Sequence, residues 1–301
     1  MIYKNFRVNS LLTLIVTCVT LFSVGCSPLI FADRLSPYDG YKLEPDVAYG
    51  IHRRQKLDIY EPLIEENKKI IIMFIYGGSW RSGERSNYRF IAQPFVSQGY
   101  TTIVPDYRLY PEVQFPAFVD DIAKAIVWTH RRYEQKNNPH KIILIGHSAG
   151  AHIAALLALD NRYLKRAGAS TKIISGWVSL AGPHAFNPLK TKSTKPIFNN
   201  FAPIIEQTKP TTFARSDAPP GLLLHGKKDT VVYAKNSALL ASAIKNERGH
   251  VTLKTIAGIG HIEILLSITG NKLFHTGVKQ EIFKFIKNLH QYCRDRIIIS
   301  K

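Results

Sequence analysis

Apolar residues along this chain follow two alternating patterns. Short and nearly continuous apolar runs, the clearest at residues 69–75 and 141–145, predict strands that are covered on both faces. Segments with apolar residues at helical spacing lie between such runs, the clearest at residues 118–135. The same criteria predict strands at 56–60, 101–104, 176–180, 221–224 and 251–256, and helices at 88–98, 151–159, 233–247 and 278–292. We therefore predict an α/β fold, with a mostly parallel central sheet of about eight strands and helices on both faces.

The N-terminal part of the chain lies outside this alternation. Lys4 and Arg7 precede an apolar stretch from Leu11 to Val24. This stretch has the length of the apolar part of a signal peptide and is short for a membrane-spanning helix. The pattern therefore predicts a signal peptide at residues 1–25.

Two further segments are irregular. Residues 26–45 contain three prolines and no clear period, which predicts a tether or surface arm before one domain at residues 46–301. Residues 184–216 interrupt the alternation inside that domain, with four prolines and five cations against one glutamate. Long irregular insertions between strands often carry function. We interpret this one either as a cap over a functional site or as a plain surface excursion.

The net positive charge of the chain indicates which classes of binding partner to expect. The chain has 40 Lys and Arg against 22 Asp and Glu, a formal net charge of +18. Such a balance favours an anionic membrane surface, an acidic polymer or nucleic acid as a partner. Nucleic acid is the weakest of these, because the chain has no zinc-finger spacing, no RNA-binding aromatic signature and no long basic run. We therefore predict contact with a membrane surface and no nucleic-acid partner.

The residues after the apolar stretch indicate how the N-terminus is processed. Gly25-Cys26-Ser27 resembles the lipobox of bacterial lipoproteins, in which the cysteine is lipidated and becomes the mature N-terminus. The resemblance implies an exported protein, anchored through Cys26 in a bacterial membrane on its periplasmic or cell-surface side. Ser23 stands where that pattern usually has leucine, so an ordinary cleaved signal and an uncleaved anchor are alternatives. Cys18 lies in the signal, which leaves Cys293 without a disulfide partner in the mature chain.

The pentapeptide Gly146-His147-Ser148-Ala149-Gly150 stands between a predicted strand and a predicted helix. This is the context of a nucleophile elbow, in which a serine occupies a strained turn at the sheet edge. The two backbones pass close together there, so the neighbours of the serine must be small, as Gly146, Ala149 and Gly150 are. The pattern predicts Ser148 as a nucleophile. A glycine-rich turn with an incidental serine is the alternative.

Two residues farther along the chain complete a candidate catalytic set. A serine hydroxyl needs a base, and the base needs a group that orients it. His261 follows the last predicted strand and Asp229 follows the preceding one. Carboxyl ends of strands in open α/β sheets gather catalytic groups, so we predict that both meet Ser148 at that edge. Asp217 and Glu263 remain alternative acids.

Other residues near the elbow are predicted to donate to an oxyanion or to support the structure. The amide of Ala149 is a predicted oxyanion donor, and the glycine-rich segment Tyr76-Gly-Gly-Ser-Trp80, just after a central strand, is predicted to supply the other. A simple turn is the alternative for that segment. His147 and His152 are interpreted as structural or pocket-lining, and His225 as a packing residue.

Six segments together resemble the α/β-hydrolase superfamily, within the esterase/lipase branch that includes hormone-sensitive-lipase-like and kynurenine-formamidase-like hydrolases. They are Tyr76–Trp80, Asp106–Glu112, Phe115–Ala117 with Asp120-Asp121, Gly146–Gly150, His225–Asp229 and Gly260-His261. The resemblance spans residues 50–290 and implies an α/β-hydrolase fold for residues 46–301, with residues 184–216 as a possible cap.

The resemblance also implies roles for individual residues. It makes Ser148 the nucleophile, Asp229 and His261 its partners, and the amides of Gly78, Ser79 and Ala149 the oxyanion donors. It makes Arg108 and Asp120 ionic scaffolding. Tyr76 departs from the family pattern, which usually has histidine there to brace the oxyanion loop.

The implied activity is hydrolysis of small-molecule or lipid carboxylic esters through an acyl-enzyme, with no metal or cofactor. Amide hydrolysis by the same residues and a catalytically silent binding module are the alternatives. Acyl group, leaving group and oligomeric state do not follow from the sequence.

Overall fold

The computed structural model of the protein describes residues 33, 39–64, 68–135, 140–269 and 276–299. The predicted signal peptide at residues 1–25 and the predicted lipidation site Cys26 lie outside these residues. Across the described ranges, no helix combines the length and the apolar character that crossing a membrane requires.

One eight-stranded sheet forms the centre of the fold. Its strands are β1 (Tyr41–Ala48), β2 (Lys56–Pro62), β3 (Ile70–Ile75), β4 (Thr101–Pro105), β5 (Lys141–His147), β6 (Ile174–Leu180), β7 (Gly221–Gly226) and β8 (Val251–Ile256). They lie in the order β1-β2-β4-β3-β5-β6-β7-β8. The pairings of β1 with β2 and of β2 with β4 are antiparallel, and the pairings among β3 to β8 are parallel. The predicted mostly parallel sheet is confirmed, and the protein has the α/β-hydrolase fold.

Helices cover the two faces of this sheet. The α-helices of the described residues are α1 (Arg89–Val96), α2 (Ala117–Gln135), α3 (Ala149–Leu159), α4 (Asn161–Arg166), α5 (Lys195–Phe198), α6 (Lys235–Asn246), α7 (Glu263–Leu266) and α8 (Val278–Ile299). Helices α1 and α8 lie together, and the rings of Phe95 and Phe283 meet between them at 5.4 Å. Helices α2 and α3 pack against each other, and α3 lies along β5 and β6. The central strands β3 and β5 are therefore buried between two helical layers.

The predicted arm at residues 26–45 is wrong at its C-terminal end, because Tyr41–Ala48 forms strand β1. This strand lies at the edge of the sheet and pairs on one side with β2, so most of its residues are not fully buried. An irregularity between Glu44 and Val47 shifts its register. An edge strand with a shifted register has no continuous period of two, which explains why the apolar pattern does not reveal it. Asp33, in the same predicted arm, accepts a hydrogen bond from the amide of Phe90 at 3.1 Å.

The parallel strands end at one edge of the sheet and bring distant parts of the chain together. Ser148 follows β5, Asp229 lies just beyond β7, and His261 lies beyond β8. The insertion at residues 184–216 contains α5 and three 3₁₀ segments, Pro188–Lys190, Asn199–Thr208 and Pro210–Phe213. The topology thus places the predicted catalytic residues at the carboxyl edge.

Candidate active site

Ser148, His261 and Asp229 form one line of hydrogen bonds at the carboxyl edge of the sheet. The Oγ of Ser148 lies 2.9 Å from Nε2 of His261, and Nδ1 of that ring lies 2.7 Å from Oδ2 of Asp229. A carboxylate only accepts, so Nδ1 carries a proton and Nε2 is left to accept the proton of the serine hydroxyl. Asp217 lies in a surface ion pair and Glu263 is exposed. The structure therefore brings together the three predicted residues and places Asp229, of the acids considered, against His261.

The turn at Ser148 has the strain expected of an elbow. Ser148 has φ 55° and ψ −120°, a conformation that few side-chain-bearing residues adopt. A methyl group on Gly150 would lie 2.0 Å from the carbonyl oxygen of Ile75, and one on Gly146 would lie 2.3 Å from that of Gly150. Close approach of the backbones therefore requires glycine at both positions.

The carboxylate of Asp229 is buried and ionised. Burial raises the pKa of this group, but hydrogen bonds from His225, His261 and the amide of Val232 outweigh that effect. The pKa of Asp229 consequently lies well below its ordinary value. An ionised acid at this position can stabilise a protonated His261 ring.

His225 does more than the packing role that its sequence position suggested. Its ring is buried, with Nε2 at 2.6 Å from the Val232 carbonyl and 3.2 Å from Oδ2 of Asp229. A carbonyl only accepts, so Nε2 carries the proton, and Nδ1 accepts the hydroxyl of Ser237 at 2.7 Å. His225 thus places a second histidine N–H against the same acid. Its spacing four residues before Asp229 was the available sequence signal.

The two histidines that flank the elbow hold other segments in place. His147 Nε2 lies 2.8 Å from the carbonyl oxygen of His261, and His152 Nε2 lies 2.7 Å from that of Thr208. Burial lowers the pKa of His147 to about 3 and that of His152 to about 4, so both rings are neutral near pH 7. These contacts agree with the structural roles predicted for both residues.

The predicted oxyanion loop lies against the nucleophile. A methyl group on Gly77 would lie 2.9 Å from Cβ of Ser148. Gly78 and Ser79 have φ values of 116° and 53°. Within the described residues, the amide groups of Gly78 and Ser79 donate no hydrogen bond to the protein. The amide of Ala149, the first residue of α3, has no partner inside that helix. These three amides, two in the loop that contacts Ser148 and one directly after it, therefore have no hydrogen-bond partner among the described residues.

Comparison with known proteins places most of this chain in a family. The BD-FAE family profile matches residues 57–244, which include the elbow, the oxyanion loop and Asp229. The chain belongs to the BD-FAE family.

Relatives of this BD-FAE protein carry the names of esterases and formamidases. It is 24% identical over 82% of its length to isoprenylcysteine alpha-carbonyl methylesterase from Arabidopsis thaliana, of which it covers 63%. It is 25% identical over 67% of its length to esterase LipQ from Mycobacterium tuberculosis, of which it covers 52%. It is 23% identical over 73% of its length to kynurenine formamidase from Salmo salar, of which it covers 75%. The chain thus spans about half to three quarters of these relatives.

Solved structures share the fold. Esterase B from Lactobacillus rhamnosis superimposes with a TM-score of 0.76 at 17% identity, covering 98% of this chain and all of that one. A truncated carbohydrate esterase from gut microbiota has a TM-score of 0.67 at 22% identity, covering 84% of this chain and 98% of that one.

Tyr76 takes a buried, fully bonded position in this BD-FAE protein. Its hydroxyl donates to Oδ1 of Asp106 at 2.6 Å and accepts from Nη2 of Arg54 at 2.9 Å. Its ring is stacked between those of Tyr88 and Tyr107, at 5.2 and 4.8 Å. Burial, followed by the charge of Asp106, raises the pKa of Tyr76, so the phenol stays protonated and donates. The residue that departs from the usual histidine therefore fixes the start of the oxyanion loop by bonds of its own.

Arg108 and Asp120, assigned to scaffolding by resemblance, lie in separate ion pairs. The guanidinium of Arg108 binds both oxygens of the buried Asp121, at 2.7 and 2.8 Å. Asp120 accepts from Arg166 at 2.6 Å. These pairs join the segment after β4 to α2, and α2 to α4.

The insertion at residues 184–216 packs against the oxyanion loop of this BD-FAE protein. The ring of Phe186 stacks on that of Trp80, with centroids 6.0 Å apart and planes 5° from parallel. The guanidinium of Arg81 donates to the carbonyl oxygen of Ser193 from Nη2, at 2.6 Å. The insertion therefore contacts the residues that follow Gly78 and Ser79, which is where a cap would have to lie.

Proposed function

We propose that the protein is a serine hydrolase that cleaves carboxylic esters through Ser148, His261 and Asp229. The observation that carries this proposal is the unbroken line of hydrogen bonds from the Ser148 hydroxyl to the Asp229 carboxylate. The named esterases among its relatives support the same class of reaction. No step of this reaction requires a metal or a cofactor.

The proposed reaction has two halves. In the first, Nε2 of His261 takes the hydroxyl proton of Ser148 while Oγ attacks the ester carbonyl carbon. The carbonyl oxygen becomes an oxyanion and accepts from the amides of Gly78, Ser79 and Ala149. The imidazolium then protonates the departing alcohol, which leaves an acyl group on Oγ. In the second half, water gives a proton to the same nitrogen and attacks the acyl carbon. The imidazolium then returns that proton to Oγ of Ser148 as the bond between Oγ and the acyl carbon breaks, which releases the acid and restores the serine.

A fluorophosphonate probe and a serine variant test this proposal. Wild-type protein should be labelled on Ser148 and should hydrolyse p-nitrophenyl acetate, and Ser148→Ala should lose both labelling and turnover. Ser97→Ala provides a matched control, because the Ser97 hydroxyl bonds the carbonyl oxygen of Pro94 in α1, away from the sheet edge. Turnover by folded Ser148→Ala would refute the assignment. Absence of labelling in folded wild-type protein would favour a silent binding module.

Amide hydrolysis by the same residues is a second candidate. The similarity to kynurenine formamidase, which extends over 75% of that protein, favours it. The same attack on a formamide carbon would release formate and an amine. Parallel measurements of kcat/KM with p-nitrophenyl acetate, longer acyl esters and N-formylkynurenine separate the two. A higher kcat/KM for the formamide would assign the protein to the second class.

We also propose that the protein is exported and held at a membrane by lipid on Cys26. The order of cationic residues, apolar stretch and Gly25-Cys26-Ser27 supports this proposal. Metabolic labelling with a fatty-acid analogue in a bacterial host should mark the wild type and not Cys26→Ser. Cys18→Ser should be labelled like the wild type, and equal labelling of Cys26→Ser would contradict the proposal.

A further inference from the structure

Exposed apolar side chains gather just beyond the catalytic acid. Among the described residues, eight large hydrophobic side chains are exposed, and three of them fall within residues 231–239. They are Val231, Tyr233 and Leu239, with 69%, 60% and 53% of their surface exposed. Isolated exposed apolar residues are ordinary, but a local group of them indicates a contact surface.

The loop that presents these side chains is fixed from inside. The amides of Val231 and Val232 donate to Oδ1 of Asp229 at 2.9 and 2.8 Å. The carbonyl of Val232 accepts from the buried ring of His225 at 2.6 Å. The exposure of Val231 and Tyr233 is therefore a feature of a well-bonded loop.

Exposed lysines flank these apolar side chains along the chain. Lys227, Lys228 and Lys235 are exposed, and none forms an ion pair with a carboxylate of the described residues. The ammonium of Lys235 lies 5.8 Å from the centroid of the Tyr233 ring, so cation and apolar surface are contiguous. Glu263 is an exposed acid on the neighbouring loop. The surface as a whole combines apolar side chains with an excess of positive charge.

We propose that residues 227–239 form a docking surface for an anionic lipid bilayer. Apolar side chains would enter the interfacial region, and the lysines would lie against anionic headgroups. A second copy of this chain is a poorer occupant, because it carries the same net charge of +18 and the same lysines. The consequence for catalysis rests on the proposed hydrolase function. Since Asp229 belongs to this loop, docking would set the mouth of the site at the lipid surface, within reach of membrane-dissolved esters.

Vesicle co-sedimentation of the full chain tests the apolar part of the surface. Binding is measured to phosphatidylcholine vesicles with and without phosphatidylglycerol. Val231→Asp should weaken binding to the anionic vesicles by about tenfold. Leu63→Asp is the matched control, because Leu63 is 68% exposed at the far end of β2 and the charge change is the same. All variants share residues 1–32, so any binding through that segment contributes equally to each variant and cancels when the variants are compared.

A pair of charge reversals tests the cationic part. Lys227→Glu with Lys228→Glu should reduce binding to anionic vesicles by roughly tenfold or more. Lys165→Glu with Lys172→Glu changes the net charge equally, but these lysines line a surface cavity at the amino ends of β5 to β7. Equal losses in the two pairs would overturn a local docking surface in favour of net charge alone. Equal binding of wild type to both vesicle types would overturn it outright.

Two further measurements distinguish failure of the docking surface from failure of the proposed hydrolase function. Sedimentation velocity should show that wild type and Val231→Asp have the same oligomeric state; a dimer abolished by the substitution would assign the surface to a second copy instead. Fluorophosphonate labelling of wild type is measured in parallel. If the wild type is labelled but does not prefer anionic vesicles, the docking surface alone is refuted. If the wild type docks selectively on anionic vesicles but is not labelled, the hydrolase proposal alone is refuted.

Discussion

One nitrogen of Arg54, Nη2, lies 2.9 Å from the Tyr76 hydroxyl and 2.7 Å from the carbonyl oxygen of Gly83. These two residues stand at opposite ends of the loop that carries Gly78 and Ser79. A planar guanidinium donates in fixed directions, so this contact sets the distance between the two ends of the loop. The same Tyr76 hydroxyl donates to Asp106. Loop geometry thus depends on a phenol oxygen that lies outside the line of hydrogen bonds from Ser148 to Asp229.

Removal of that oxygen should impair turnover more than substrate binding. Tyr76→Phe removes one hydrogen bond from Arg54 and one from Asp106, at a cost of about 0.5–1.5 kcal/mol for each bond, and loosens the oxyanion loop. Because the oxyanion forms only during the reaction, we expect kcat to fall roughly tenfold to a hundredfold with KM little changed. Steady-state kinetics with p-nitrophenyl acetate measure this. Tyr133→Phe is the control, since Tyr133 is also buried and bonds a carboxylate, that of Glu61. A comparable loss of kcat in both variants would contradict a specific role for Tyr76.

The sequence predicted those parts of the molecule whose patterns are local. Central strands such as β3 and β5 are covered on both faces, so their apolar runs are continuous and easily recognised. The elbow was recognisable because close backbone approach demands glycine at fixed positions around Ser148. Parallel strand ends converge, which made Asp229 and His261 predictable partners.

Other parts depend on contacts between distant residues and left no local pattern. The edge strand β1 is only partly buried and has a shifted register, so its residues resembled an arm. The bridge from Arg54 to Tyr76 requires knowledge of where the loops fold back. The contact of His225 with Asp229 lies within one turn, but the turn's geometry decides whether the two side chains meet. Sequence spacing shows that such residues are near the site, and only their geometry shows which bonds they make.

The choice among the three candidate acids can be tested by matched amide substitutions. Asp229→Asn keeps the shape of the side chain but replaces the carboxylate that holds the proton on Nδ1 of His261. We expect kcat to fall by roughly 10³-fold or more. Asp217→Asn and Glu263→Gln should retain wild-type kcat, because Asp217 lies in a surface ion pair and Glu263 is exposed. A large loss in either control with activity preserved in Asp229→Asn would reassign the acid.

The role of the insertion can be tested at the ring that contacts the oxyanion loop. Phe186 covers one face of Trp80, which is only 2% exposed. Phe186→Ala removes that cover, so a cap predicts that the ratio of kcat/KM values for longer and shorter acyl esters changes by roughly threefold or more. Phe283→Ala is the control, because Phe283 is also partly buried but lies in α8 and packs on Phe95 of α1. An unchanged ratio in Phe186→Ala would favour a plain surface excursion.

Buried histidines beside the elbow should make the fold sensitive to acid. Burial lowers the pKa of His152 from 6.5 to about 4, so the unfolded chain binds a proton more readily throughout that range. The contribution of His152 to stability is therefore full above pH 6.5 and falls as the pH is lowered towards about 4, with a loss of roughly 2 kcal/mol at about pH 5.

Urea unfolding near pH 7 and near pH 5 measures the slope of the unfolding free energy against pH. His152→Gln can keep the bond to the Thr208 carbonyl without titrating, so its slope should be shallower than that of wild type. His250→Gln, at an exposed position, should preserve the wild-type slope, and identical slopes in all three proteins would show that the buried ring at 152 does not control acid stability.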